Sequence, residues 1–399
     1  MRREMQYWMN RFFTYKIENS YVFLLLVSVF LMTSCIEPWE SGIEEQLELI
    51  SFDGSLIKGK EVQVINISRT TGLVDPKKLP LRDCEVYIQD NLLNEFPFEE
   101  VLDGLYEGEI HDEDLVIGRK YKLIAIAPSG ARYESEYERL TAPVPIDSIY
   151  YEIEDKIDPI TGNEFSGVQF YADVKATDTT SRYFRWMLDE TWEYTVGTPI
   201  SWIYDIVWGE LEKIRPDNKY ELFRCYKNVE IDDILLTNTI NLASNAKKKV
   251  NLHYVSARTD KLRIKYSLFV KQYPINPEAY DYWNQNRIAL QGPGGLYNTQ
   301  PGQPITNMTN VNDSTEKVLG YFWASSLTSR RFTFLKPKEL LVEDEFCELV
   351  EFDYITHIID GTLPVYIYYD EGAGIEYTAP PACFDCQSRG GSLTKPDYW

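Results

Sequence analysis

Short segments that alternate apolar and polar residues recur from residue 47 onward, and they constrain the fold more than any other feature. Residues 61–68, 84–88 and 262–270 are examples, with a change of phase at Ile65 that indicates a bulge. A period of two places apolar side chains on one face of a strand, whereas a helix needs a period near 3.6. The 29 Tyr, 9 Trp and 18 Phe residues also favour strands. We therefore expect a mainly β protein whose short antiparallel strands form a sandwich.

A proline-rich break divides this sequence into two predicted domains. Residues 141–145 read Thr-Ala-Pro-Val-Pro, and proline disfavours continuation of the preceding element. We expect a β-sandwich over residues 46–142 and a larger β-rich domain over residues 147–399.

One segment of the second domain has the features of a helix start. Asn276 is a suitable cap, Pro277 fits the first helical position, and Glu278 lies in the first turn. The sequence therefore predicts one inserted helix over residues 277–290, which the glycine- and proline-rich residues 292–295 would end.

The N-terminal region has the pattern of an export signal. Residues 21–32 are almost entirely apolar and follow a segment with four basic residues, as in a secretory signal peptide. The apolar run is shorter than the about 20 residues that a membrane-spanning helix needs. It ends in Met32-Thr33-Ser34-Cys35, which resembles a bacterial lipobox. We expect residues 1–34 to be removed and Cys35 to carry the lipid; the alternative is an ordinary signal peptide with a chance cysteine.

The residues directly after Cys35 are acidic. Residues 36–45 contain four glutamates together with Pro38 and Gly42, so residues 35–45 are expected to form a lipidated tether. The acidic run resembles the surface-export signal of Bacteroidetes lipoproteins, although a plain solvated linker would look similar. These features predict a lipid-anchored protein of the outer membrane, exposed at the cell surface.

The charge of the chain limits its partners. Lys plus Arg number 40 and Asp plus Glu number 62, for a formal net charge of −22. Because phosphate groups are bound mainly by Lys and Arg, an acidic chain is not expected to bind nucleic acid or an anionic lipid surface directly. Its contact with a membrane is expected to be through the N-terminal lipid.

The cysteines predict a cross-linked C-terminal tail. Six are present, and the lipidated Cys35 leaves five, so at most two disulfides form within the chain. Export to an oxidising compartment permits such bonds. We expect one of Cys383 and Cys386 to bond Cys347 or Cys225, and we favour Cys347 because it lies nearer in sequence. A redox or metal role for the pair is the alternative.

The sequence contains no recognisable catalytic set. Its histidines, His111, His253 and His357, have no zinc-site spacing, and phosphate-binding and nucleophile-elbow motifs are missing from the sequence. We therefore predict no catalytic residue, metal or cofactor. A hydrolase that uses an unrecognised carboxylate pair remains the least favoured alternative.

An aromatic stretch within residues 191–210 offers candidates for ligand stacking. It contains Trp192, Trp202 and Trp208, and its Gly and Pro residues make it hard to assign to a core. Exposed rings of this kind would bind sugar faces or peptides. A free-standing glycan- or peptide-binding lipoprotein is therefore an alternative function.

Several short motifs follow one another along the chain. They are Cys35, Gly104-Leu105-Tyr106, Ile146-Asp147-Ser148-Ile149, Tyr183-Phe184-Arg185-Trp186, Cys225-Tyr226, Gln272-Tyr273, Glu278-Ala279-Tyr280, Tyr282-Trp283, Gly320-Tyr321-Phe322, Cys383, Cys386, Gly390-Gly391 and Pro396-Asp397-Tyr398-Trp399. Their order resembles a family of Bacteroidetes lipoproteins known as domain of unknown function 4249. The resemblance implies an immunoglobulin-like first domain and a chain encoded beside TonB-dependent outer-membrane transporters. It therefore implies a non-enzymatic accessory or binding subunit of such a transporter.

Overall fold

The described residues are mainly β, with 23 strands and one α-helix, as the alternating pattern predicts. The computed structural model describes residues 49–71, 79–177, 180–205, 210–213, 220–291, 305–343, 347–353 and 365–399. The predicted signal peptide (1–34), the tether (35–45) with Cys35, and Trp208 lie outside these residues. No helix in the described part of the chain is long and apolar enough to span a bilayer.

The first sheet is built mainly from the N-terminal third of the chain. Its strands are β1 (Ile50–Lys58), β2 (Val62–Arg69), β3 (Leu79–Pro80), β4 (Glu85–Asp90), β5 (Glu95–Leu102), β6 (Leu105–Glu109), β7 (Lys120–Ile126), β8 (Arg132–Ser135), β9 (Glu138–Arg139), β18 (Met308–Asn310) and β19 (Val318–Ser326). Their order in the sheet is β18-β8-β7-β4-β5-β6-β2-β1-β19, with β3 beside β2 and β9 beside β7.

The two ends of this sheet face each other across one core. Phe52 on β1 lies 5.4 Å from Tyr133 on β8, measured between ring centroids. Both rings belong to a buried cluster that also contains Ile65 of β2 and Leu123 of β7. The arrangement is therefore sandwich-like, whereas the immunoglobulin-like topology that the family resemblance implies stays a prediction.

The first sandwich also uses residues from far along the chain, which the sequence boundary at residue 142 missed. β19 pairs with β1 in parallel, from Ile50 opposite Val318 to Lys58 opposite Ser326, and β18 pairs with β8. Residues 308–326 thus complete the first sheet, and residues 147–399 do not form one continuous separate domain. Gly320 permits this pairing, because a Cβ there would lie 1.8 Å from the Phe52 carbonyl oxygen and its φ is +95°.

The remaining strands form three smaller sheets. The strands are β10 (Ile146–Ile157), β11 (Glu164–Lys175), β12 (Tyr183–Thr195), β13 (Trp202–Asp205), β14 (Glu210–Lys213), β15 (Arg224–Asn238), β16 (Ala246–Ser256), β17 (Lys265–Ile275), β20 (Thr328–Leu335), β21 (Val350–Glu351), β22 (Tyr366–Asp370) and β23 (Ile375–Thr378). The sheet orders are β10-β11-β16, β15-β12-β17-β20 and β14-β13-β22-β23-β21. The first two sheets pack on each other, and Phe170 of β11 stacks on Tyr266 of β17 with centroids 5.4 Å apart.

The helix α1 (Pro277–Gln291) begins where the sequence predicts it. The side-chain amide of Asn276 donates to Glu138 Oε2 at 2.5 Å and to the carbonyl of Arg139 at 3.0 Å. These bonds connect the start of α1 to β9 of the first sheet. The helix is therefore held against the first sandwich.

Glu138 is buried at this junction, and its charge state makes stability depend on pH. The hydroxyl of Tyr321 donates to Glu138 Oε1 at 2.6 Å, yet burial raises the pKa of this carboxyl above its ordinary value of 4.5. A raised carboxyl pKa in the folded state lowers stability as the pH rises through the folded pKa. The contribution of Glu138 is thus most favourable below pH 4.5.

We predict that Glu138→Gln removes this pH dependence. Relative to the wild type, the variant should gain in free energy of unfolding as the pH is raised above 4.5. Urea denaturation of both proteins at several pH values measures the difference. A difference that is constant, or that moves against the variant as the pH rises, would contradict the assignment.

Candidate functional site

A pocket of about 270 Å³ lies on the outer face of the first sheet, where β12 and α1 approach it. Polar groups and two indole rings share its lining with three apolar side chains. The residues are Asp53 and Ser55 of β1, Val64 and Asn66 of β2, Leu105 of β6, Arg185 and Met187 of β12, Trp283 of α1 and Trp323 of β19.

Strand alternation explains why these side chains meet. In β1, Phe52 and Leu56 face the sandwich core, so Asp53 and Ser55 point to the opposite side. In β19, Phe322 belongs to the sandwich core, whereas its neighbour Trp323 joins a different cluster with residues of β17 and α1. The pocket therefore lies on the face of the first sheet that points away from the sandwich core.

Arg185 is the central charged group of the pocket. Its guanidinium carbon lies 3.4 Å from the ring centroid of Trp283 and 5.1 Å from that of Trp323. Burial lowers the pKa of Arg185 to about 10, while the negative charges of Asp53 and Glu230 act in the opposite direction. The side chain thus stays cationic at neutral pH. Among the described residues, it forms no ion pair within 4.0 Å.

Further aromatic contacts hold the two indoles in place. Tyr273 of β17 contacts Trp323 edge to face at 5.4 Å, and Trp283 does so at 6.5 Å. Tyr282, next to Trp283, stacks on Tyr321 of β19 at 4.9 Å. Because these rings come from three different elements, the position of the guanidinium is fixed before any ligand arrives.

The C-terminal tail is cross-linked through the four candidate cysteines. Cys347 bonds Cys383, and Cys225 bonds Cys386. Cys84 carries no disulfide, and burial raises the pKa of its thiol.

After Cys386, the tail packs on the sheet that contains β12. The indole of Trp399 donates to Glu193 Oε2 at 3.0 Å, and the ring of Tyr398 lies 3.5 Å from the guanidinium carbon of Arg331. The last residues therefore cover one face of that sheet.

The structure describes two of the three tryptophans of the predicted stacking platform, Trp192 and Trp202. Trp192 is only 5% exposed and belongs to the core between the β11 and β12 sheets, so it is wrong as a stacking candidate. Trp202 is half-buried on β13, and Trp208 lies outside the described residues.

The structure describes two of the three histidines, His111 and His253. His111 is exposed, His357 lies outside the described residues, and His253 Nε2 lies 3.5 Å from the buried carboxylate of Glu190. Glu190 also accepts a hydrogen bond from the hydroxyl of Tyr266 at 2.8 Å and pairs with Lys261. In the described part of the chain, no three His, Cys, Asp or Glu residues are arranged to hold a metal.

Sequence reasoning did not identify the Arg185 pocket. Its residues are far apart along the chain, and no spacing rule connects them. The available signal was the set of motifs that resemble a family, because residues 183–186, 282–283 and 320–322 all lie at or beside the pocket.

A search of curated proteins found no match. Residues 36–331 match the family described as Domain of unknown function (DUF4249), and this range contains every residue of the pocket. The match covers well over half of the chain, so this protein is a member of the DUF4249 family.

Proposed function

We propose that this chain is a surface-exposed lipoprotein of the outer membrane, anchored through Cys35, that serves as a non-enzymatic accessory subunit of a TonB-dependent transporter. A location outside the cytoplasm is supported by two disulfides, Cys225–Cys386 and Cys347–Cys383. Structural disulfides form and persist in oxidising compartments and are rare in the cytosol. They therefore agree with the export signal at residues 1–34.

The character of the pocket supports a binding role. Its groups are a guanidinium, two indoles, an amide, a hydroxyl and a carboxylate. Apolar walls with a few placed polar groups are typical of sites that bind and orient a ligand. The transporter partnership itself rests on the resemblance between this chain and lipoproteins encoded beside such transporters, which is an argument by association.

The β10–β11 hairpin provides a surface for a protein partner. Ile157 at the end of β10 is 71% exposed, and Ile160 in the turn is 93% exposed. Contiguous exposed apolar patches often mark contact surfaces, and we place the partner contact at this turn because it presents two exposed isoleucines. A partner that covers this turn would remove both side chains from water.

Affinity isolation from detergent-solubilised outer membranes tests the proposal. The tagged full-length chain is expected to bring down a β-barrel transporter, and Ile157→Ser with Ile160→Ser should reduce its recovery. Leu341→Ser is the matched control, since Leu341 is 90% exposed but lies outside the hairpin. Isolation of the lipoprotein without any barrel would contradict the proposal and favour a free-standing binding lipoprotein.

A further inference from the structure

The side chain of Arg185 is half-buried, and within the described part of the chain its guanidinium forms no ion pair. Twelve ion pairs join one described residue to another, and none of these involves Arg185. Even partial removal of a cation from water has a cost when no ion pair replaces the water. The stacked indoles recover only part of that cost, since a cation–π contact is a modest interaction. An anion bound to the guanidinium would therefore lower the free energy of the site.

Stacking also determines how such an anion would bind. Trp283 lies 3.4 Å from the guanidinium carbon, so one face of the planar group is occupied. The N–H groups lie in the plane of the guanidinium, in a fork that matches the two oxygens of a carboxylate. A side chain fixed in this way presents its donors with little loss of conformational freedom.

Other polar groups of the pocket also lack partners within the protein. The side chains of Asp53, Ser55 and Asn66 form no side-chain hydrogen bond with the described residues. The negative charge of Asp53 is close enough to Arg185 to favour the charged form of the guanidinium. The pocket thus offers a cation and an anion to one ligand, which suits a molecule that carries both charges.

The size and the remaining walls restrict the occupant further. A volume of about 270 Å³ is at the lower end of ligand pockets, which usually measure about 300–1,000 Å³. It is suited to a single residue rather than to an oligosaccharide. The side chains of Val64, Leu105 and Met187 supply apolar contact.

We propose that this pocket binds a small carboxylate with an apolar side chain, namely a free amino acid or the C-terminal residue of a short peptide. Arg185 binds the carboxylate, and Asp53 binds the ammonium group of a free amino acid. This inference does not depend on the transporter partnership, since a free-standing lipoprotein could use the same pocket. The competing role for Arg185 is purely structural, as a clamp between α1 and β19.

Titration of the full lipoprotein in detergent micelles with matched probes tests the inference. The probes are L-leucine, glycyl-L-leucine, N-acetyl-L-leucine and L-leucinamide, with binding measured by isothermal calorimetry. L-Leucinamide, which lacks the carboxylate, should bind about 10- to 100-fold more weakly than L-leucine, as expected for loss of a charged hydrogen-bonded pair. Tighter binding of L-leucine than of glycyl-L-leucine identifies a free amino acid as the ligand, and the reverse order identifies a peptide C-terminus.

Variants then assign the two charges. Arg185→Gln should lower the affinity for L-leucine to that of the wild type for L-leucinamide. Asp53→Asn should lower the affinity for L-leucine but not the affinity for N-acetyl-L-leucine. Arg331→Gln is the matched control, because Arg331 stacks on Tyr398 at 3.5 Å but lies outside the pocket. Circular dichroism checks that each variant is folded.

The probe pair on the wild-type protein needs no variant, so a misfolded Arg185→Gln protein does not remove the test. Equal affinity for L-leucine and L-leucinamide would overturn the proposal. Failure of all three carboxylates to bind at millimolar concentration would do the same and would leave the structural clamp as the role of Arg185.

Discussion

Replacing both Cys225 and Cys386 with alanine is expected to lower the free energy of unfolding by about 2–5 kcal/mol. The two cysteines are 161 residues apart, so their bond closes a long loop and removes many conformations from the unfolded chain. The bond also holds the start of the final segment, where the hydroxyl of Tyr194 donates to the carbonyl of Cys386 at 2.6 Å. Guanidinium denaturation of the oxidised proteins measures the loss.

The second disulfide supplies a matched control. Cys347 and Cys383 are only 36 residues apart, so replacing this pair should cost about 1 kcal/mol less than replacing the first. Intrinsic fluorescence should also report detachment of Trp399 from Glu193 in the first variant only. An unchanged midpoint without Cys225–Cys386, or the opposite order of the two losses, would contradict this view of the tail.

Replacing Cys35 with serine is expected to abolish attachment to the membrane. The proposed anchor is a lipid on the Cys35 sulfur, and stable attachment requires two or more acyl chains. Serine has no thiol to which the lipid could be attached, so the chain should move from the membrane pellet to the soluble fraction. Fractionation of cells followed by immunoblotting measures the distribution.

Cys84→Ser is the control for this experiment. Cys84 is the cysteine that carries no disulfide in the described part of the chain, so its replacement should leave the protein in the membrane fraction. Retention of the Cys35→Ser chain in carbonate-washed membranes would place the anchor elsewhere.

Local pattern predicted much of the fold because it reflects which face of a strand is buried. The alternation in β2 places Ile65 and Ile67 in the core, as expected. The bulge predicted at Ile65 is wrong, because β2 pairs with β1 and β6 without a register shift. The apparent change of phase arises from Gln63, a buried polar residue whose amide exchanges hydrogen bonds with the backbone of Ile57 at 2.8 and 2.9 Å.

The local sequence pattern does not predict contacts between segments that are distant in the chain. Nothing in residues 318–326 indicates that this strand joins β1 rather than a neighbour in sequence. Trp192 shows the same limit: it faces the core from β12 along with Phe184, Trp186 and Leu188. Residues on the other face of β12 near Trp192 are covered by the tail, since Thr191 contacts Tyr398 and Glu193 contacts Trp399. Both faces there are buried. The alternation of Trp192, Glu193 and Tyr194 shows which side chains share a face, but it does not show which face packs on the core.

The Arg185 pocket was missed for a related reason. Arg185 occupies an ordinary outward position of an alternating strand, where a solvated charge is the usual interpretation. Its partial burial follows from contacts with α1 and β19, which come from much later in the chain. Only tertiary structure distinguishes such an arginine from the many that lie at a surface.

Intact-mass spectrometry of the protein purified from its own membranes tests the central claim most directly. An exported lipoprotein is predicted to begin at Cys35, to carry the mass of a diacylglycerol with additional acyl chain, and to weigh four hydrogens less than the reduced chain because of two disulfides. A chain that retains residues 1–34, lacks the lipid and has all its cysteines reduced would contradict the account.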